Sequence, residues 1–212
     1  MRKHFNSLKL LFGLLVSFLA IYIAGCSGEG SNEKKEAGPV EKTTMSQEDM
    51  IKRGDYLTIT SGCHDCHSPK KFGPHGEMML DSSKLLSGHP AEMPMPPINL
   101  KSLEPGQWMS LSGDLTAFVG PWGMSYTANL TPDSATGIGT WSETHFINAI
   151  RNGKHLGDGR PIMPPMPWEF IGKMTDDDLK SIYVFLKSLP PIKNAVHAPF
   201  TPDEVRQMSA SK

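Results

Sequence analysis

The chain has 212 residues, 38% of them hydrophobic and 20% charged, with 20 Gly, 18 Pro, 3 Cys and a formal net charge of −1. That length suits one domain or two small ones, and the composition excludes collagen, a coiled coil and a multi-span membrane protein. A near-neutral charge with no basic cluster also excludes a general nucleic-acid binder, which needs a concentrated cationic face to release counterions.

Arg2, Lys3 and Lys9 lead into an apolar run from Leu10 to Ala24. The run is short for a spanning helix and has the length of a signal-peptide core. It ends in Ile23-Ala24-Gly25-Cys26, which resembles the lipobox of bacterial lipoproteins, where cleavage before the cysteine leaves it as a lipidated N-terminus. A plain transmembrane anchor with Cys26 incidental is the alternative, and either places the remainder outside the cytoplasm. On the lipoprotein reading residues 1–25 are removed, leaving 187 residues of net charge −4. Residues 26–45 are polar and without hydrophobic period, a flexible linker of roughly 20–25 Å end to end.

Ser46, followed by Asp49, opens a helical pattern in which Met50, Gly54 and Leu57 share a face. Residues 68–139 are dense in Pro, Gly and Ser, as in Met93-Pro94-Met95-Pro96-Pro97, and predict a long loop region. Loops of that size occur in compact domains when they are functional or wrap something large. Thr140 with Glu143 predicts the cap of a second helix carrying Phe146, Ile147, Ala149 and Ile150 and ending at Asn152-Gly153. A Pro-rich loop through Pro161, Pro164, Pro165 and Pro167 follows. Thr175 with Asp178 then caps a third helix with Leu179, Ile182, Tyr183, Leu186 and Leu189 on its apolar face, stopped by Pro190 and Pro191. Thr201-Pro202-Asp203-Glu204 can start a short terminal helix.

Cys63-His64-Asp65-Cys66-His67 is the attachment pattern of c-type haem. In one tight helical turn the two thiols reach the two vinyl groups of one haem edge, and His67 is left to face the iron. Cys26 goes to lipid and the other two cysteines to thioethers, so none is left over. Three other uses of this spacing fit less well. A thioredoxin-like pair wants a strand before it, a zinc site wants more Cys or a paired His, and a Cys63–Cys66 disulfide closes a strained loop.

The chain from about residue 46 to 194 resembles the class I bacterial cytochromes c. Ala128-Asn129-Leu130-Thr131-Pro132-Asp133, Thr136-Gly137-Ile138-Gly139-Thr140-Trp141, Ala149-Ile150-Arg151-Asn152-Gly153 and Met163-Pro164-Pro165-Met166-Pro167-Trp168 are similar to segments of cytochrome subunits that accept electrons from bacterial dehydrogenases. The resemblance implies a mainly α fold, three core helices around one covalent haem c with long Pro/Gly-rich loops. It also implies a domain at 46–194 and a C-terminal tail at 195–212. Such subunits often carry three haems, whereas one attachment motif is present here.

The resemblance further assigns the sixth iron position to Met166, with Met163 as its rival three residues earlier. Trp141 and Trp168 are candidates to pack on the ring, and Asn129, Arg151 and Arg160 to satisfy the propionates. His89, Met93 and Met95 form a short His/Met cluster of a kind that soft metals favour, although Met as loop filler explains it as well. The expected function is one-electron transfer between redox protein partners, a dehydrogenase or a terminal acceptor, by a lipid-anchored cytochrome on the extracytoplasmic or periplasmic face of a membrane. The alternatives are a haem-bearing dehydrogenase subunit and, further off, a peroxidase-like enzyme.

Overall fold

The computed structural model describes residues 45–210, which lie in the second of the two units into which the chain divides, at Thr44–Lys212. The signal-peptide segment, Cys26 and nearly all of the linker fall outside the described residues. In chain order the helices are α1 (Gln47–Thr60), α2 (Cys63–His67), α3 (Glu143–Asn152), α4 (Trp168–Ile171), α5 (Asp176–Ser188) and α6 (Pro202–Ala210). The strands are β1 (Lys70–Phe72), β2 (Met78–Leu80), β3 (Ser110–Leu111), β4 (Ala117–Gly120) and β5 (Gly123–Tyr126). The mainly α expectation holds. Among these residues no helix is long and apolar enough to cross a membrane.

The first and third predicted caps form as expected. Ser46 Oγ accepts from the Asp49 N–H at 3.1 Å, and Thr175 Oγ1 accepts from that of Asp178 at the same distance. The second helix starts later than predicted. Its N-cap is Ser142, whose hydroxyl accepts from the His145 N–H while His145 Nδ1 accepts from the Ser142 N–H. Trp141 is still in a turn, its N–H bonded to the Ile138 carbonyl, so Thr140 precedes the helix. Glu143 becomes its first residue and pairs with Lys180.

Helices α1 and α5 approach closest backbone to backbone. A Cβ at Gly54 would lie 2.1 Å from the Ser181 carbonyl oxygen and 2.5 Å from Phe185 Cβ, so only glycine permits the approach. Around this crossing Leu86, Ile138, Phe146, Ile150, Leu179, Ile182, Phe185 and Leu186 form the main core. Each fully buried side chain of this kind contributes roughly 1.5–3 kcal/mol by leaving water.

The stretch expected to be loop contains strands. β1 and β2 pair antiparallel, Phe72 opposite Met78, and β3, β4 and β5 form an antiparallel sheet in that order. Two to four residues per strand are too few to display an alternating pattern in sequence. Gly123, at φ +102°, closes the β4–β5 turn, and a Cβ there would stand 2.0 Å from the Phe200 carbonyl oxygen. Met124 pairs with Phe200 across this approach. Leu103, Ala117, Val119 and Met124 build a second core that α6 completes with the fully buried Val205.

Candidate cofactor site

The polypeptide turns from α1 into α2 through Gly62, which is left-handed at φ +68°. Cys63 and Cys66 stand three residues apart on α2, on neighbouring positions of one face, and His67 follows. Neither thiol is in a disulfide, and both are half-buried. Burial pushes the Cys63 thiol up to about 11, with smaller upward pushes from Cys66 and Asp65, and burial raises Cys66 as well. These are not the acidified thiols of a redox-active pair. Lys70 Nζ caps the end of α2, donating to the His64 carbonyl at 3.3 Å and also to that of Asp65. The His64 ring bonds Ser68 Oγ at 2.9 Å through Nδ1.

His67 is 8% exposed, and its Nδ1 lies 2.8 Å from the Ala128 carbonyl oxygen. A carbonyl can only accept, so Nδ1 carries the proton and Nε2 holds the lone pair. Desolvation lowers the pKa of the ring, chiefly through burial, and so keeps it neutral. The backbone behind it is tied down too. The Gly88 N–H donates to the His67 carbonyl at 2.8 Å, and the His89 N–H to that of Thr127 at 3.0 Å. A Cβ at Gly88 would fall 2.4 Å from the Thr127 carbonyl oxygen, at a φ of +76°. A neutral imidazole with an oriented Nε2, one residue from Cys66 and four from Cys63, both free of disulfides, fits the donor set that covalent haem requires.

The loop that carries Met163 and Met166 joins α3 to α4. Lys154 bridges to Pro161, the Ile162 N–H donates to the Gly153 carbonyl at 2.8 Å, and the Pro164 carbonyl accepts from Ser125 Oγ at 2.5 Å. Gly153 is left-handed at φ +63°, and a Cβ there would enter the Trp168 ring at 2.3 Å. Among the described apolar side chains packed on the main core are both Cys63 and Met166. Met163, half-buried, is not in that group.

The other sequence candidates divide. Trp141 packs on the same core, accepts from Tyr183 Oη through its carbonyl at 2.9 Å and stands edge-on to His155. Asn129 is 3% exposed and bonded on every side to protein, donating to Thr136 Oγ1 and the Ile192 carbonyl while accepting from the Thr131 N–H and hydroxyl. Arg151 binds the Gly172 and Met174 carbonyls and the Asp176 carboxylate, stitching α3 to the start of α5. Arg160 is exposed, with a 3.4 Å contact to its neighbour's carbonyl. His89 is fully buried and bonded to Thr116, while Met95 packs on the second core. Among the described residues no group of three or more His, Cys, Asp or Glu gathers as a metal site.

Ala128, Gly88 and Ser125 were not foreseen. Ala128 acts through a backbone carbonyl, which leaves no mark in side-chain identity. Gly88 and Ser125 sit in the segment expected to be irregular.

No family model matches the chain. It is 28% identical over 151 residues to the fructose dehydrogenase cytochrome subunit of Gluconobacter japonicus, covering 71% of this chain and 24% of that protein. It is 27% identical over 147 residues to the gluconate 2-dehydrogenase cytochrome c subunit of Pantoea cypripedii, covering 69% and 25%. It is 26% identical over 140 residues to the cytochrome c subunit of the quinone-dependent alcohol dehydrogenase of Gluconobacter oxydans, covering 66% and 21%. These relatives are named as cytochrome subunits, and their names imply haem c as the cofactor. This chain is similar to the cytochrome subunits of bacterial dehydrogenases, consistent with electron transfer. The chain spans about a quarter of the length of these relatives.

Proposed function

We propose that this chain is a single-haem electron carrier, held on the extracytoplasmic side of a membrane through lipid on Cys26, that passes one electron at a time between a dehydrogenase and an acceptor. The observation that carries this reading is the 2.8 Å bond from His67 Nδ1 to Ala128, which leaves Nε2 as the ligating nitrogen beside Cys63 and Cys66. The haem supplies a one-electron Fe(III)/Fe(II) couple. Cys63 and Cys66 would hold it covalently through two thioethers, with His67 and Met166 as the residues that would ligate the iron. The packing of Met166 and Cys63 on one core supports Met166 over Met163.

With His67 and Met166 both engaged, the protein's work would be to keep the ligand geometry nearly constant between oxidation states and to leave an edge open to partners. Trp141 and Trp168 would pack against the ring. Arg160, exposed and weakly engaged, is available to a propionate, whereas Asn129 and Arg151 stabilise the loops around it. A tether of some 20 residues lets the domain swing while keeping its local concentration high, and more than one acyl chain makes the anchor stable. The relatives' names favour one refinement, permanent membership of a dehydrogenase complex, which stable co-purification with a large partner reveals.

The test is the absorption spectrum of the ferric holoprotein. A low-spin haem with a near-infrared sulfur-to-iron band is expected. Met166→Ala removes that band while haem stays attached, and Met163→Ala leaves it. A high-spin haem that binds CO or peroxide readily overturns the carrier in favour of an enzyme, and loss of the band in Met163→Ala moves the ligand.

A further inference from the structure

The loop that carries Met163 and Met166 contains Pro161, Pro164, Pro165 and Pro167. Proline has no N–H, so much of this loop can be gripped by its neighbours only at its carbonyl groups. Ser125, on β5 and 4% exposed, makes such a grip between the two methionines, on the residue after Met163. Its Oγ donates to the Pro164 carbonyl oxygen at 2.5 Å and accepts from Trp122 Nε1 at 3.2 Å. A hydroxyl that accepts from one partner while donating to another is polarised, and the donated bond strengthens.

The post behind this grip is fixed. The Trp122 indole is seated on Gly120, where a Cβ would stand 2.4 Å from ring carbons. On the other side Met124 exchanges two 2.9 Å backbone bonds with Phe200, ahead of α6. Ser125 therefore joins the methionine loop to the second core.

We propose that Ser125, oriented by Trp122, is a positioning residue that holds the methionine loop in place and so sets how often the axial sulfur–iron bond opens. The inference rests on the reading that Met166 is the distal ligand. Without the hydroxyl the loop regains conformational freedom that only the detached form can use, and the open form gains population.

The experiment is an imidazole titration of the ferric holoprotein, because imidazole takes the sixth position only after the sulfur leaves. Ser125→Ala is expected to bind imidazole roughly three- to tenfold tighter, the span of one ordinary hydrogen bond, and to lose the sulfur-to-iron band at a lower temperature. Ser125→Thr keeps the hydroxyl and restores wild-type behaviour. Trp122→Phe shifts the affinity in the same direction by less, and it serves as the readout where Ser125→Ala does not fold.

In a Met166→Ala background, Ser125→Ala leaves imidazole affinity unchanged, since no sulfur bond remains to open. Wild-type affinity in Ser125→Ala overturns the positioning role, as does equal tightening in the Met166→Ala background. A sulfur band that survives Met166→Ala overturns the ligand assignment instead, whatever Ser125 does.

Discussion

His67 and Ala128 stand 61 positions apart in sequence and are joined by a 2.8 Å hydrogen bond from imidazole Nδ1 to a backbone carbonyl. That bond settles two things at once, which ring nitrogen is protonated and which way the ring is turned. A carbonyl behind a ligating imidazole also makes the imidazole a better donor. The segment supplying the carbonyl is itself held by β5, by the paired backbone of Gly88 and His89, and by Asn129. His67 is thus positioned by the segment that follows β5 as well as by its own short helix.

Replacing both Cys63 and Cys66 by alanine is expected to abolish covalent haem. On a denaturing gel stained for haem, the band seen for the wild type disappears from the double variant made in the same maturation-competent host. A stained band of equal strength would refute the attachment assigned to α2.

Gly54 is where α1 and α5 come closest. Gly54→Ala puts a methyl 2.1 Å from the Ser181 carbonyl oxygen, and since that neighbour is backbone, the helices must separate. Overpacking of this kind costs about 1–3 kcal/mol, which corresponds to a fall of very roughly 2–12 °C in the melting temperature of a domain this size. Thermal unfolding of the holoprotein followed by circular dichroism checks it.

His89 links stability to pH. Its Nδ1 bonds Thr116 Oγ1 at 2.7 Å, and the Thr116 hydroxyl donates to Asp114 Oδ2 at 2.7 Å, while Nε2 is buried with no hydrogen-bond partner. Burial lowers the pKa below its usual 6.5, against an upward pull from Asp114 and with a further push down from His197. The unfolded chain therefore takes up the proton first as pH falls. This contribution to stability is complete above 6.5 and is lost below it. Urea midpoints should drop between about pH 7 and about pH 5, and His89→Asn, which can still donate to Thr116, should flatten that part of the slope. Parallel slopes would assign the effect to other groups.

Cys26→Ser is expected to move the protein from the membrane fraction to the soluble one. Fractionation followed by immunoblotting checks it, and retention on the membrane would point to an uncleaved N-terminal helix as the anchor.

The Cys63–His67 motif was legible because its two thiols and histidine lie at one local spacing, on a single short helix. The caps at Ser46 and Thr175 were legible for the same reason, since cap and partner lie three residues apart. The cap of α3 was missed by two residues. Thr140 and Ser142 are both competent caps, and the choice falls to the turn that keeps Trp141 bonded to Ile138. The sheet of β3, β4 and β5 was hidden because strands of two to four residues have no readable period, and their pairing draws on α6 and Phe200, some 80 residues downstream of β5.

By itself the sequence determined which groups can bond to a haem, the three long helices and their apolar faces, and a run of prolines around two methionines. Only the tertiary structure decided that His67 is backed by the carbonyl of Ala128, that Met166 and not Met163 joins Cys63 on the main core, and that Ser125 reaches Pro164. The division has a physical cause. Ligand identity and helix periodicity are local properties of a chain, whereas a carbonyl or a single hydroxyl gains a role only from the neighbour that folding brings to it.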